Sequence, residues 1–292
     1  MSSPLPILAL LFNALVWGLA WWPFRTMHAA GLHPLWATAL MYALVLLGLA
    51  AWRPRALAPL LRHPALWLLA LSSGLNNVAF NWAVTVGDVV RVILLFYLMP
   101  AWAVLLAWRI LGERPTPQAL LRLLLAFGGV ALVLLPPEAS WPSLVAHLSM
   151  ADALALFGGF MFALTNVLLR RLHHVPGTSR MLAMFAGCMS MGLLSALTGS
   201  ALGLVPGFPA LNPTWLGIAL VMAVLLMVGN GALQFGASRL PSGTTAVVLL
   251  SEVAFASLSS LLLTSATLPL RTVLGGALFL LAALLAALQR RG

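Results

Sequence analysis

Ten stretches of mainly apolar residues, each about twenty long, follow one another along this chain with only short connections between them. They run approximately from Leu5 to Trp22, Pro34 to Trp52, Pro64 to Thr85, Val89 to Trp108, Pro117 to Leu135, Met150 to Leu169, Ser179 to Leu204, Pro213 to Ala237, Ser242 to Thr264 and Leu270 to Leu288. A helix of that length crosses a hydrocarbon core of roughly 30 Å. In lipid every backbone polar group must be satisfied within the chain, so helices are expected and open strands are not. Of 292 residues, 62% are hydrophobic and 7% charged, which excludes water-soluble globular and disordered classes. The expectation is an all-α integral membrane protein, one compact bundle of ten transmembrane helices with no soluble domain attached. The opening "MSSPLP" has no basic region and the first apolar stretch lacks a clear small-residue cleavage site, so that stretch is expected to remain as the first helix.

The basic residues fix an orientation. The chain has 15 of them and all are arginine. With both termini cytoplasmic, Arg25, Arg91 and Arg271 fall outside and the other twelve fall on inner loops or inner helix ends. That asymmetry follows the positive-inside rule. The formal charge of +10 is therefore read as topology and membrane anchoring, with no nucleic-acid partner. The single cysteine, Cys188, offers neither a disulfide nor a cysteine cluster, and the six histidines lie at helix ends or in loops away from carboxylates. Neither metal nor cofactor is expected. No phosphate loop, zinc-protease motif or nucleophile-base pair is present to support an enzyme.

The chain also resembles itself. "NVAFNWAVT" (Asn77 to Thr85) falls on "NGALQFGAS" (Asn230 to Ser238) at an offset of 153, matching Asn77, Asn81 and Thr85 with Asn230, Gln234 and Ser238. Near the start, Leu8 to Phe12 falls on Ala153 to Phe157 at an offset of 145, pairing Trp17 with Phe162 and Arg25 with Arg170. The expected organisation is residues 1–137 as a first five-helix repeat and 138–292 as a second. Because five is odd, the second copy enters the membrane from the opposite side. Inverted repeats around a midplane site are a transporter architecture.

One acid breaks the apolar pattern at depth. Glu252 lies ten residues into the ninth stretch, roughly 15 Å from its start at 1.5 Å per residue, where its carboxyl cannot reach water without a cavity. Its repeat equivalent is Met99, so packing symmetry alone does not require it. Thr245, Glu252 and Ser259 share a seven-residue spacing and hence one helix face. The amides Asn77 and Asn81, with Ser73 and Thr85, form a ladder on the third helix, and Asn230 and Gln234 form its counterpart on the eighth. Buried amides serve either as glue between helices or as cavity lining. Trp17, Phe80, Tyr97 and Phe162 lie deep enough to wall an aromatic pocket, whereas tryptophans such as Trp21, Trp36, Trp52 and Trp215 are expected in interfacial belts. Pro23, Pro100 and Gly229 to Gly231 mark expected bends in the first, fourth and eighth helices.

With these features in place, the chain resembles the drug/metabolite transporter superfamily, in its EamA type. The carrying stretches are "VWGLAW" in the first helix, "LMPAWAVLLAWRILGERPT" across the fourth and fifth, and "FALTNVLLRRL" in the sixth. That family often has a Glu-Pro pair in the ninth helix, where this sequence has Ser251, Glu252 and Val253, removing a proline kink and keeping the acid. Within the superfamily the "SEV" form is similar to the YddG-type aromatic amino acid exporters of bacterial inner membranes. The resemblance implies a secondary transporter exporting aromatic amino acids and related small metabolites by alternating access. The rival is a multidrug exporter of quaternary cations such as methyl viologen. On the first reading Glu252 meets an ammonium or a coupling proton, Asn77, Asn81, Asn230 and Gln234 orient polar groups, and Trp17, Phe80, Tyr97 and Phe162 meet the ring. The expected partners are a small-molecule substrate and the lipid bilayer, with the chain acting as a monomer.

Overall fold

The computed structural model describes residues 4–58, 63–87, 89–134, 149–264 and 270–288. The boundary expected at residue 137 lies outside them, as do the side chains of Thr85 and Arg91. Twelve α-helices are described: α1 (Leu5–Ala29), α2 (Pro34–Trp52), α3 (Pro64–Val86), α4 (Val89–Phe96), α5 (Met99–Leu111), α6 (Pro117–Leu134), α7 (Met150–Arg171), α8 (Gly177–Ala201), α9 (Pro213–Ala237), α10 (Ser242–Leu249), α11 (Ser251–Thr264) and α12 (Leu270–Leu288). Five of them, α1, α2, α7, α8 and α9, are individually long and apolar enough to cross a membrane. The ten expected stretches are all helical, and the fourth and ninth are each divided in two.

Local chemistry sets many of the ends. Proline in the first two positions opens α1, α2, α3, α5 and α9, where its missing amide costs nothing. Ser149 and Asp152 form a reciprocal capping box at α7, and the Asn212 side chain accepts from the Thr214 amide at α9. Gly112, at φ +71°, ends α5 in the left-handed region.

At two of the expected bends the helix is not interrupted. Pro23 lies inside the unbroken α1, which continues to Ala29, and Gly229 to Gly231 lies inside the unbroken α9. At Pro23 a single ladder bond is lost and the following turns still close, with the Ala30 amide on the Thr26 carbonyl. The division at Pro100 is as expected, with Tyr97 and Leu98 forming a turn before α5. The ninth stretch breaks at Leu250 although it has no proline. There Ser251 turns its hydroxyl back onto the Val248 carbonyl at 2.7 Å, and the Leu250 and Val253 amides take i−3 partners. Serine back-bonding of this kind bends a helix, so Ser251 supplies what a proline elsewhere would.

The bundle is assembled across the chain. α3 packs along α7 and α8, α1 along α9 and α11, α2 along α8, and α6 along α12. Glycines allow the closest approaches: a Cβ on Gly187 of α8 would lie 2.5 Å from the Ala70 carbonyl carbon of α3, and one on Gly18 of α1 would lie 2.6 Å from the Phe255 Cβ of α11. Small residues at helix crossings are how membrane helices gain dispersion contact where lipid is as apolar as the protein. The outward faces stay apolar, as at Leu121, Leu124, Val221 and Val224, all exposed.

Candidate functional site

The two broken helices bring the acid to the aromatics. Tyr97 ends up in the turn between α4 and α5, and Glu252 is the second residue of α11. Their side chains interact, with the tyrosine hydroxyl within hydrogen-bonding reach of the carboxyl. A carboxyl in the first turn of a helix also faces the positive end of the helix dipole. Hydroxyl and dipole together offset part of the cost of holding Glu252 away from water.

Aromatic rings extend from this pair. Phe96, the last residue of α4, has its ring centroid 4.7 Å from Phe80 of α3, 5.9 Å from Phe162 of α7 and 6.0 Å from Tyr97. Gly158 and Gly159 of α7 make room for it: a Cβ on Gly159 would come 2.5 Å from the Phe96 carbonyl oxygen. Three of the four aromatics named from sequence, Phe80, Tyr97 and Phe162, therefore converge through a fourth ring, Phe96, which sequence reasoning missed. Its signal was adjacency to Tyr97 in "LLFYLMP".

Trp17 packs against the same hydrophobic cluster as Phe96 and Phe162. It is half-buried on α1 beside Gly18, where α1 crosses α11 within contact of the Glu252 carbonyl oxygen. Trp21, expected in an interfacial belt, instead donates its indole to the Ser259 hydroxyl at 2.9 Å, tying α1 to α11 on the same side as Glu252. Trp36 donates to the Pro206 carbonyl at 2.9 Å and packs on Phe208.

The four amides lie elsewhere. Asn77 donates to the Ser73 carbonyl at 3.1 Å and to Cys188 Sγ at 3.2 Å, and accepts from the Tyr42 hydroxyl at 3.3 Å. Asn81 donates to Thr38 Oγ1 at 2.9 Å. These contacts join α3 to α2 and α8. With its amide turned to satisfy both ends, Gln234 donates to the Gly177 carbonyl and accepts from the Met181 amide, each at 3.0 Å, and it lies 2.9 Å from Asn230. That cluster joins α9 to the first turn of α8. In this conformation the amides hold helices together.

Other buried polar atoms have no partner among the described residues. Asn13 Oδ1 on α1, Asn166 Oδ1 on α7 and Thr245 Oγ1 on α10 are all enclosed and unsatisfied. Asn13 lies against Gly229 of α9 and shares the i, i+4, i+8 face of Trp17 and Trp21. A buried amide oxygen without a partner costs about 1–3 kcal/mol. Asn13 escaped the sequence reading because it has no counterpart in the amide ladders.

An ion pair closes one end of the bundle. Arg170 at the end of α7 meets Glu113, in the connection after α5, at 3.4 Å. Arg170 also donates to the Ser238 carbonyl at 3.0 Å, and the other Glu113 oxygen accepts from the Ser242 amide at the start of α10 at 3.2 Å. Three connections are thereby held by two side chains.

Comparison with known proteins gives three results. No curated protein sequence matches the chain. A protein of known crystal structure is similar at a TM-score of 0.79, with 20% identity, over 98% of this chain and 99% of its own, a likeness of fold. Residues 4–135 of this multi-pass helical membrane protein, somewhat less than half of the chain, are similar to the EamA-like transporter family.

Proposed function

We propose that the protein is a secondary transporter that moves aromatic amino acids out of the cell across the bacterial inner membrane by alternating access, with both termini cytoplasmic. The observation that carries the reading is the Glu252–Tyr97 pair set against Phe80, Phe96 and Phe162, where a half-buried acid and a wall of rings meet at two helix breaks. An α-ammonium matches the acid, and an aromatic side chain matches the rings.

The breaks also support the inverted repeat. Tyr97 and Leu250 are 153 residues apart, the offset at which the amide ladders align. Exchanging the halves maps the α3–α7 packing onto α9–α1, and α2–α8 and α6–α12 onto themselves. One exchange fails: α3 packs along α8 extensively, whereas its counterpart, α9 with α2, meets over less of its length. Two similar halves in unlike arrangements are what a carrier needs, since each can adopt the arrangement of the other. The unsatisfied Asn13, Asn166 and Thr245 fit the same scheme as groups that meet water or substrate in the opposite state.

A lipophilic or quaternary cation would use the same acid and rings, and the aromatic cluster favours it equally through cation–π attraction. Counterflow into proteoliposomes tests both readings. Labelled phenylalanine entering faster into vesicles preloaded with unlabelled phenylalanine supports the amino acid carrier, and Glu252→Gln is expected to abolish that stimulation. Stimulation by methyl viologen without phenylalanine exchange replaces the substrate. Uptake indifferent to internal solute replaces the carrier with a pore.

A further inference from the structure

The arginine-rich end of the bundle contains a second kind of chemistry, at the start of α8. Two cavities flank Pro176, the residue before that helix. One, of about 540 Å³, is lined by Arg53, Arg55, Thr178 and Ser179 with Trp52 at its edge. The other, of about 420 Å³, is lined by His173, His174, Gly177, Arg180, Ser238 and Arg239. Neither lining includes an acid.

Membrane anchoring does not account for this arrangement. An anchoring arginine extends its head into water. Arg180 does the opposite: it is 5% exposed, gives one nitrogen to the Leu169 carbonyl at 3.1 Å, and lies close enough to Arg239 for the two to repel. Gathering like charges in a half-enclosed site is unfavourable unless an anion joins them. Ser179 points to the same ligand independently. It is fully buried, its hydroxyl has no partner among the described residues, and it lines the larger cavity. Pro176 offers α8 no side-chain cap, and the Gly177 and Thr178 amides, like those of any first turn, have no intrahelical acceptor. Amides, dipole, hydroxyl and guanidiniums thus border the two cavities at the start of α8, the groups with which proteins hold phosphate.

We propose that the start of α8 is a binding site for a phosphate ester, occupied in the membrane by the headgroup of an anionic phospholipid. Trp52, 66% exposed and stacked with the Arg53 guanidinium at 4.5 Å, supplies the amphipathic edge at which the glycerol and upper acyl chains rest. Ser238 lines the smaller cavity and its carbonyl accepts from Arg170, so a bound headgroup braces the α7–α8 connection against the end of α9.

The test uses the full-length protein in detergent, titrated with phosphatidylglycerol or phosphatidylcholine, with retained lipid counted by native mass spectrometry. Thermal unfolding with inorganic phosphate alone is read in parallel. Phosphatidylglycerol is expected to be retained selectively and to bind roughly thirtyfold more weakly to Arg55→Gln/Arg239→Gln, two exposed arginines whose loss leaves the fold intact. Ser179→Ala is expected to weaken it further without unfolding. The charge-matched variant Arg109→Gln/Arg114→Gln, away from the cavities, is expected to bind as wild type. Stabilisation by inorganic phosphate that is lost in Arg55→Gln/Arg239→Gln, without preference for phosphatidylglycerol, overturns the lipid assignment in favour of a soluble phosphate ester. Equal weakening in both double variants, or no preference for either anion, overturns the site.

Discussion

Gly187→Ala tests whether the α3–α8 crossing is as close as it is described. A Cβ at that position would lie 2.5 Å from the Ala70 carbonyl carbon, with the carbonyl oxygen nearer still, against an ordinary contact of 3.4 Å or more. The obstructing atoms are backbone, so no side-chain rotation relieves them. Either α3 and α8 separate by at least about 0.9 Å, forfeiting dispersion along the crossing, or the helices distort. The separation would also stretch the node beside it, where Ser73 and Asn77 of α3 meet Cys188 of α8 at 3.2 Å. Overpacking a closed contact costs 1–3 kcal/mol and sometimes more, and the loosened polar node adds to it, so about 3 kcal/mol is expected. Reversible unfolding in mixed micelles reads this directly. Gly217→Ala is the comparison, because a Cβ there meets nothing within 4 Å and helix propensity favours alanine by up to about 1 kcal/mol. Equal stability of the two variants would refute the close crossing.

Ser251→Ala removes the back-bond that bends the ninth stretch. It is expected to shift stability by only about 1 kcal/mol while lowering transport several-fold, read as unfolding against counterflow. Glu113→Gln severs a partly exposed ion pair, so stability should change by less than about 1 kcal/mol, with faster exchange at the end of the bundle that the pair closes. Trp21→Phe removes the indole bond to Ser259 and is expected to cost roughly 1 kcal/mol. His33 caps α2 through a ring nitrogen that accepts from the Leu35 amide at 3.3 Å, and burial, then the nearby His28, lowers its pKa below 6.5. The neutral form is therefore the folded form. Its stabilisation is complete above the unfolded value of 6.5 and declines as pH falls through the lower folded value. A melting curve should lose stability between about pH 7 and pH 5, and His33→Asn, which keeps the cap, should flatten that slope.

What sequence could and could not reveal follows from which forces are local. Hydrophobic length exposed the ten stretches, and Pro100 exposed the break in the fourth, because both act through the chain's own backbone. Glu252 stood out because desolvation of a carboxylate is expensive wherever its partner lies. The break at Leu250 was hidden, since a serine hydroxyl bends a helix only if it turns back on the carbonyl three residues earlier. Pro23 does not interrupt its helix, because a helix near its end survives the loss of one bond. Asn77 and Gln234 were ambiguous for a different reason. An amide ladder has the same spacing whether it lines a cavity or grips Tyr42, Cys188 and the first turn of α8. Phe96 gained its place from Gly158 and Gly159, more than sixty residues away, and no local pattern records such a neighbour.

The packing pairs described above nearly all join the first half of the chain to the second: α3 to α7 and α8, α1 to α9 and α11, α2 to α8, α6 to α12. During synthesis the early helices therefore enter the bilayer before their partners exist. α1 has to wait for more than 180 residues of further chain before α9 begins to emerge. Until then it meets little of the chain beyond α2, and Asn13 and the glycine faces stand exposed to the lipid and the insertion machinery. Assembly is a late event, completed only when the second half arrives. The same interleaving means that the two halves, made as separate chains in one membrane, carry the complementary surfaces needed to find each other, whereas either half alone has almost nothing to close upon.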